Sequence, residues 1–227
     1  AIILKKFTFK RFFEELKRDG FSRLTKKILR KLILKGDENK EKIFYSQKML
    51  HEKVTRKSPN LNRVCKKNNI SLLKVKRFED SENFLKKYDL DLALFTGGGM
   101  ISEKIINIFK IGIINVHMGS LPKFKGMDVV ENSLISGEEV ALTSHLMTKE
   151  LDAGPIIDKW TFSSDEFRNL GEMRNYLTTF IPLLSLESAL MIFSGSPLEN
   201  QEEQGRQFYR MNYKLIDSWY MHHKKIF

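Results

Sequence analysis

The chain has 227 residues, 41% of them hydrophobic and 30% charged, which suits one soluble α/β domain with a properly buried core. Its formal net charge of +11 is uneven: residues 1–67 hold 21 Lys/Arg against 7 Asp/Glu, and the remainder holds 18 against 21, so the basicity belongs to the first third and bears on partners rather than on fold. The lone Cys65 excludes an internal disulfide framework and fits a reducing, cytoplasmic compartment.

In chain order, Ala1 to Leu4 reads as a short strand. Lys5 and Lys6 follow these first apolar residues rather than precede an apolar run, so no secretory signal is expected. Phe9 to Leu34 is a basic helical region. Phe9, Phe12, Phe13 and Leu16 share one face, Leu24, Ile28 and Leu32 another, and Gly20 divides the two. The favoured reading of this segment, 9–35, is a pair of helices packed on the sheet with their lysines in water. Nucleic acid is disfavoured because no aromatic is clearly placed to stack on bases. Docking of 9–35 on a membrane surface stays open.

Gly36 to Lys42 is a polar break, followed by helices at Phe44 to His51 and Leu61 to Asn69 and a strand at Ile70 to Val75. Glu82 to Tyr88 is helical and Leu90 to Phe95 a buried strand. Thr96-Gly97-Gly98-Gly99 then leads to an amphipathic helix, Ser102 to Phe109. Helices alternating with strands imply parallel pairing with right-handed crossovers.

Gly112 to Gly126 reads GIINVHMGSLPKFKG. Its apolar start makes a buried strand, and period-2 alternation points Asn115 and His117 the same way near the strand's carboxyl end. Gly119, Pro122 and Gly126 then impose a shaped loop. In open α/β sheets, ligands bind at such places. Beyond lie a helix, Val129 to Ser136, and strands at Ala141 to Met147 and Pro155 to Phe162. Leu170 to Phe193 is mainly helix, with a division into two segments left open. Its most apolar part, Phe180 to Phe193, is too short to span a bilayer and carries Pro182 and Glu187, which suits a core helix. Asn200 onward is polar, and the tail, 196–227, is expected to be loosely structured, anchored by Phe208, Tyr209 and Tyr213.

Asn-x-His, then Leu-Pro, a basic-aromatic pair and Gly, resembles the signature of the folate-dependent formyltransferases. Leu151-Asp152-Ala153-Gly154-Pro155 stands where that family carries its third catalytic residue. The likeness runs from about Lys67 to about Ile157, and more loosely to the C-terminus. It departs at Gly119 and Ser120, where Ser and Leu are commoner. The resemblance implies an open, mostly parallel Rossmann-like sheet flanked by helices in one domain, 1–227. It also favours a truncated chain or fragment entering at the family's second strand, without the first strand–helix unit, over the alternative of a divergent protein that begins here.

As catalytic residues it implies Asn115, His117 and Asp152. The amide polarises the formyl carbonyl, the imidazole donates a bond or moves a proton, and the carboxylate sets the imidazole's state and orients a proton-carrying water. Singly, each is better read as a turn cap, a satisfied buried histidine and a turn residue. Jointly, with Pro122, Gly126 and Gly154-Pro155 in place, the catalytic reading prevails. The donor implied is 10-formyltetrahydrofolate, with its pterin held by Gly97, Gly99, Met100 and Ile101 on one side and Glu150 and Leu151 on the other. Read alone, the triple glycine is a weak phosphate-loop signal, lacking GxGxxG spacing.

The remaining histidines attract less. His145 is expected to pack beside the site, His51 on a helix surface, and His222 and His223 in solvent. No His/Cys/Asp cluster has metal-ligand spacing, so no metal is expected. Among small-molecule amine acceptors a nucleotide-linked amino sugar of surface-glycan synthesis is favoured. The 75 residues after Asp152 are few for the extra C-terminal domain of methionyl-tRNA enzymes, and the basic insertion is foreign to compact glycinamide ribonucleotide enzymes. Both alternatives stay open, as does a non-catalytic binding module docking through its basic first third. The sequence leaves oligomeric state open.

Overall fold

The computed structural model describes residues 2–5, 60–97, 99–164, 167, 169–202, 205–212, 215 and 218. The basic segment 9–35, the helix expected at Phe44 to His51, and His51, Tyr213, His222 and His223 lie outside them. Contacts divide the chain into two compact units, Ala1–Phe84 and Leu85–Phe227.

In the first unit, β1 (Ile2–Lys5) pairs in parallel with β2 (Leu72–Val75), with Ile2 opposite Leu72 and Lys5 opposite Val75. The helix α1 (Leu61–Lys67) precedes β2. It starts where the Asn60 side chain accepts the N–H groups of Asn62 and Arg63 at 3.0 and 3.4 Å, satisfying two donors that a helix start otherwise leaves orphaned. A 3₁₀ turn at Phe78–Ser81 runs into α2 (Glu82–Leu85), which straddles the boundary between the units.

The second unit is built on a four-stranded sheet in the order β3 (Leu92–Phe95), β4 (Gly112–His117), β6 (Val140–Leu146), β7 (Ile156–Phe162). β3 and β4 are parallel, joined through the single turn α3 (Glu103–Ile106), while β4–β6 and β6–β7 are antiparallel. A short parallel ladder between β5 (Phe124–Gly126) and β8 (Arg206–Phe208) lies apart from that sheet. Three of the five strand pairs among the described residues are parallel. The fold is therefore α/β with mostly parallel pairing, as the alternating pattern predicts.

Period-2 alternation decides what each sheet face meets. Ile114, Leu146 and Ile157 pack with Ala189 and Ile192 of α5 (Leu170–Phe193), and Ser188 of α5 donates to the Ser144 hydroxyl at 2.7 Å. Asn115, His117, Thr143 and His145 take the alternate positions and so point to the opposite face. α4 (Val129–Ile135) connects β5 to β6 and is tied to α5 by Arg174, which reaches Glu131 at 3.2 Å and Asp128 at 3.7 Å.

α5 runs unbroken for 24 residues despite Pro182 and is long and apolar enough to cross a membrane by length and composition. This differs from the shorter apolar span read from sequence. Met173, Leu177, Leu184, Ser185 and Ser188 are nonetheless almost completely buried along one stripe. Tyr176 and Phe180 continue that stripe into an aromatic cluster with Trp160, Phe162 and Phe167, with ring centroids 4.8–6.2 Å apart. Burial of this kind on one side makes α5 the core helix of the unit.

Removing one of these anchors tests that role. Leu177→Ala, at a position with no solvent exposure, is expected to destabilise the fold by about 2–5 kcal/mol. Urea denaturation reads the change, and a loss under about 1 kcal/mol would contradict the core assignment.

Candidate active site

Three segments converge on the sheet face opposite α5. β4 supplies Asn115 and His117, β6 supplies His145, and the loop between β6 and β7 supplies Asp152. The register pairs Asn115 with His145 and His117 with Thr143, and directly opposed residues share a face. His117, His145 and Asp152 are each less than a tenth exposed.

Asp152 sits in left-handed backbone, φ 51°, a conformation that non-glycine residues hold only where surrounding contacts fix it. Its carboxylate Oδ2 accepts the Gly126 N–H at 2.9 Å and faces His117 Nδ1 at 3.4 Å. The other oxygen, Oδ1, lies 3.6 Å from His145 Nε2.

The two imidazoles are held differently. Nε2 of His117 is 2.8 Å from the Phe124 carbonyl oxygen. A carbonyl only accepts, so this nitrogen carries a proton. Nδ1, on the other side of the ring, faces the Asp152 carboxylate. His145 donates from Nδ1 to the Leu146 carbonyl at 3.0 Å, leaving Nε2 to accept from Asn115 Nδ2 at 3.1 Å. Its ring is neutral in this arrangement, and burial pushes its pKa down, against the opposing pull of the Leu146 carbonyl and Asp152. The result is a carboxylate flanked by two imidazoles, His145 near Oδ1 and bonded to Asn115 and the Leu146 carbonyl, His117 near Oδ2.

That neutral ring gives a pH dependence of known sign. The unfolded chain binds the His145 proton near the ordinary value of 6.5, whereas the folded chain resists it to lower pH. The contribution to stability is therefore present above 6.5 and lost as pH falls below it, with a slope of at most about 1.4 kcal/mol per pH unit. Melting temperatures measured from pH 8 to pH 5 are expected to fall less in His145→Gln than in the wild type. Equal slopes would show that His145 titrates alike in both states.

The loop after β4 is pinned at several points. Thr143 Oγ1 donates to the Gly119 carbonyl at 2.7 Å and accepts the Leu121 N–H at 3.3 Å. Gly126 has φ 97°, and a Cβ there would collide with the Phe208 carbonyl oxygen of β8. Only glycine allows β8 to approach so closely.

The resemblance's folate-side residues occupy two loops. Gly97 and Gly99 have φ 98° and 107° in irregular backbone beyond β3, leading to Met100, which is 81% exposed, and Ile101. The register Phe95 to Asn115 sets this loop beside the end of β4. Glu150 and Leu151, both exposed, lie on the other loop, directly before Asp152. Sequence reading passed over the backbone partners, the Gly126 N–H and the Phe124 carbonyl, because main-chain groups leave no residue-type signal. His145 lies beside the site as expected, though inserted between Asn115 and Asp152. Among the described residues, no group of three or more His, Cys, Asp or Glu could hold a metal ion.

The sequence and the fold resemble those of known proteins. A methionyl-tRNA formyltransferase of Staphylococcus epidermidis is 33% identical over 124 residues, covering 53% of this chain and 40% of that protein. One of Staphylococcus aureus is 27% identical over 176 residues, covering 74% and 57%. The chain thus spans about half the length of the curated relatives it matches. The crystal structure of the formyltransferase PseJ from Anoxybacillus kamchatkensis, in complex with UDP-4,6-dideoxy-4-formamido-L-AltNAc and tetrahydrofolate, superposes with a TM-score of 0.53. It has 20% sequence identity and covers 71% of this chain and 87% of that one. The family model described as formyl transferase matches residues 26–179, well over half of the sequence, and the chain belongs to that family.

Proposed function

We propose that the chain transfers a formyl group from 10-formyltetrahydrofolate to a primary amine, most favourably a nucleotide-linked amino sugar, in the cytoplasm. The observation that carries this reading is the buried His117–Asp152 pair at 3.4 Å, with Asn115 on the same strand face. The acceptor class is supported by the Anoxybacillus protein, whose structure holds a formamido UDP-sugar with tetrahydrofolate.

The donor supplies the formyl carbon and the leaving N10. The chain's residues supply charge, orientation and a route for one proton. Asn115 gives one amide hydrogen to His145, which turns the second toward the formyl oxygen as negative charge develops there. His117 has Nε2 on the Phe124 carbonyl and Nδ1 3.4 Å from Asp152, so its contribution is to orient that carboxylate and to take part in moving the proton. Asp152 Oδ2 is committed to Gly126 and His117. Oδ1 is left to take the amine proton, directly or through a water, and to pass it to N10 as the bond from the formyl carbon to N10 breaks, so that the proton ends on the leaving nitrogen. Gly97, Gly99, Met100, Ile101, Glu150 and Leu151 are proposed to wall the pterin.

Isothermal titration with 5-formyltetrahydrofolate, an unreactive donor mimic, tests this reading. Saturable binding at one site per chain, weakened by Leu151→Asp, is expected. No binding by a demonstrably folded chain would remove the donor assignment and favour the binding-module reading.

A further inference from the structure

The polar segment after α5 does not behave as a loose tail where it is described. Glu199 exchanges backbone hydrogen bonds with Ile156 at 2.8 and 2.9 Å, fixing the start of β7. Two residues on, Gln201 uses one side-chain nitrogen, Nε2, to donate to the Asp152 carbonyl at 3.2 Å and to the Gly154 carbonyl at 2.7 Å. Gly205 then lies so close to Pro122 that a Cβ would collide with the Pro122 carbonyl oxygen. β8 follows, pairing with β5; Arg206 donates to the Lys123 carbonyl at 3.1 Å and the Phe208 carbonyl accepts from Met127 at 2.9 Å. Phe208 stacks on Phe124, centroids 5.4 Å apart. The Met211 N–H finally donates to Asp128 Oδ2 at 2.9 Å.

This strap therefore holds Asp152 from two sides. Gln201 grips its main-chain carbonyl, in left-handed backbone that needs external support. β8 fixes β5, whose Gly126 N–H grips the carboxylate. Neither grip contacts the reacting atoms directly. We propose that Gln201 is a positioning residue, which together with the β8–β5 pairing sets the Asp152 carboxylate against Gly126 and His117. The inference rests on the proposed formyl transfer for its catalytic consequence, but its geometric content stands apart from any activity.

The test uses Gln201→Met, which removes the two donated bonds at nearly unchanged length, and Gln201→Ala as a second variant. The first readout is amide hydrogen exchange of Gly126, whose N–H is bonded to the Asp152 carboxylate. Exchange at Gly126 is expected to accelerate at least about tenfold in either variant, while β4 and β6 amides keep their protection. The second readout is kinetic. kcat is expected to fall about tenfold to a hundredfold, with the acceptor KM within about twofold. In an Asp152→Asn background, Gln201→Met is expected to change the residual rate less than about twofold, because the grip then acts on a group already disabled. Unchanged Gly126 exchange in a folded variant overturns the proposal, as does an unprotected Gly126 amide in the wild-type protein. A Gln201 effect that adds fully to that of Asp152→Asn also overturns it. Absence of transfer in the wild type would instead strike the formyltransfer reading and leave the exchange result to decide.

Discussion

Replacing Asp152 with asparagine is expected to lower formyl transfer by about 10²–10⁴-fold while leaving the chain folded. Asparagine keeps the shape of the side chain, and its carbonyl oxygen can still accept the Gly126 N–H. It loses the negative charge that pairs with His117 at 3.4 Å and the oxygen proposed to take the amine proton. A loss of that size with unchanged circular dichroism would therefore report chemistry rather than folding. His117→Ala, which removes the imidazole from the other side of the pair, is expected to fall in the same range. Near-native single-turnover rates in either variant would remove the roles assigned to the pair.

The second large effect is structural and sits at Gly126. Gly126→Ala is expected to destabilise the second unit by about 2–4 kcal/mol. The added Cβ would meet the Phe208 carbonyl oxygen and force β8 off β5, in a backbone with φ 97° that disfavours any side chain. Gly137 offers the control: its φ is 66°, but a Cβ there meets nothing within 4 Å. Gly137→Ala isolates the conformational penalty, about 1 kcal/mol, and the difference between the two reports the collision. Denaturant midpoints that shift equally in both would show that β8 does not press on Gly126.

Much of this arrangement was legible in the sequence. The apolar run ending in Asn-x-His predicted β4 and the shared face of its two polar side chains, because strand geometry has no other period. The Leu-Asp-x-Gly-Pro loop supplied Asp152. What escaped were features made by pairing across distance. β5 and β8 have three residues each, too few to carry periodicity, and each forms only because the other is present. Gln201 lies in a polar stretch 49 residues from Asp152, where nothing local distinguishes it from a solvated tail. His145 was placed beside the site, yet its neutral state follows only from the Leu146 carbonyl and Asn115 amide that face its two nitrogens. α5 reads as one helix rather than two because the burial of Met173, Leu177 and Leu184 on both sides of Pro182 outweighs one lost backbone bond.

The central claim is that the site moves a formyl group from folate to an amine. It is tested most directly by incubating the full-length protein with formyl-labelled 10-formyltetrahydrofolate and three acceptors. These are the 4-amino form of the UDP-sugar found in the Anoxybacillus protein, methionyl-tRNA and glycinamide ribonucleotide. Label is expected on the amino sugar in the wild type, with the rate reduced by about 10²–10⁴-fold in Asp152→Asn. Label passing to none of the three from a folded protein that binds the donor mimic would contradict the account, as would transfer that is indifferent to Asp152.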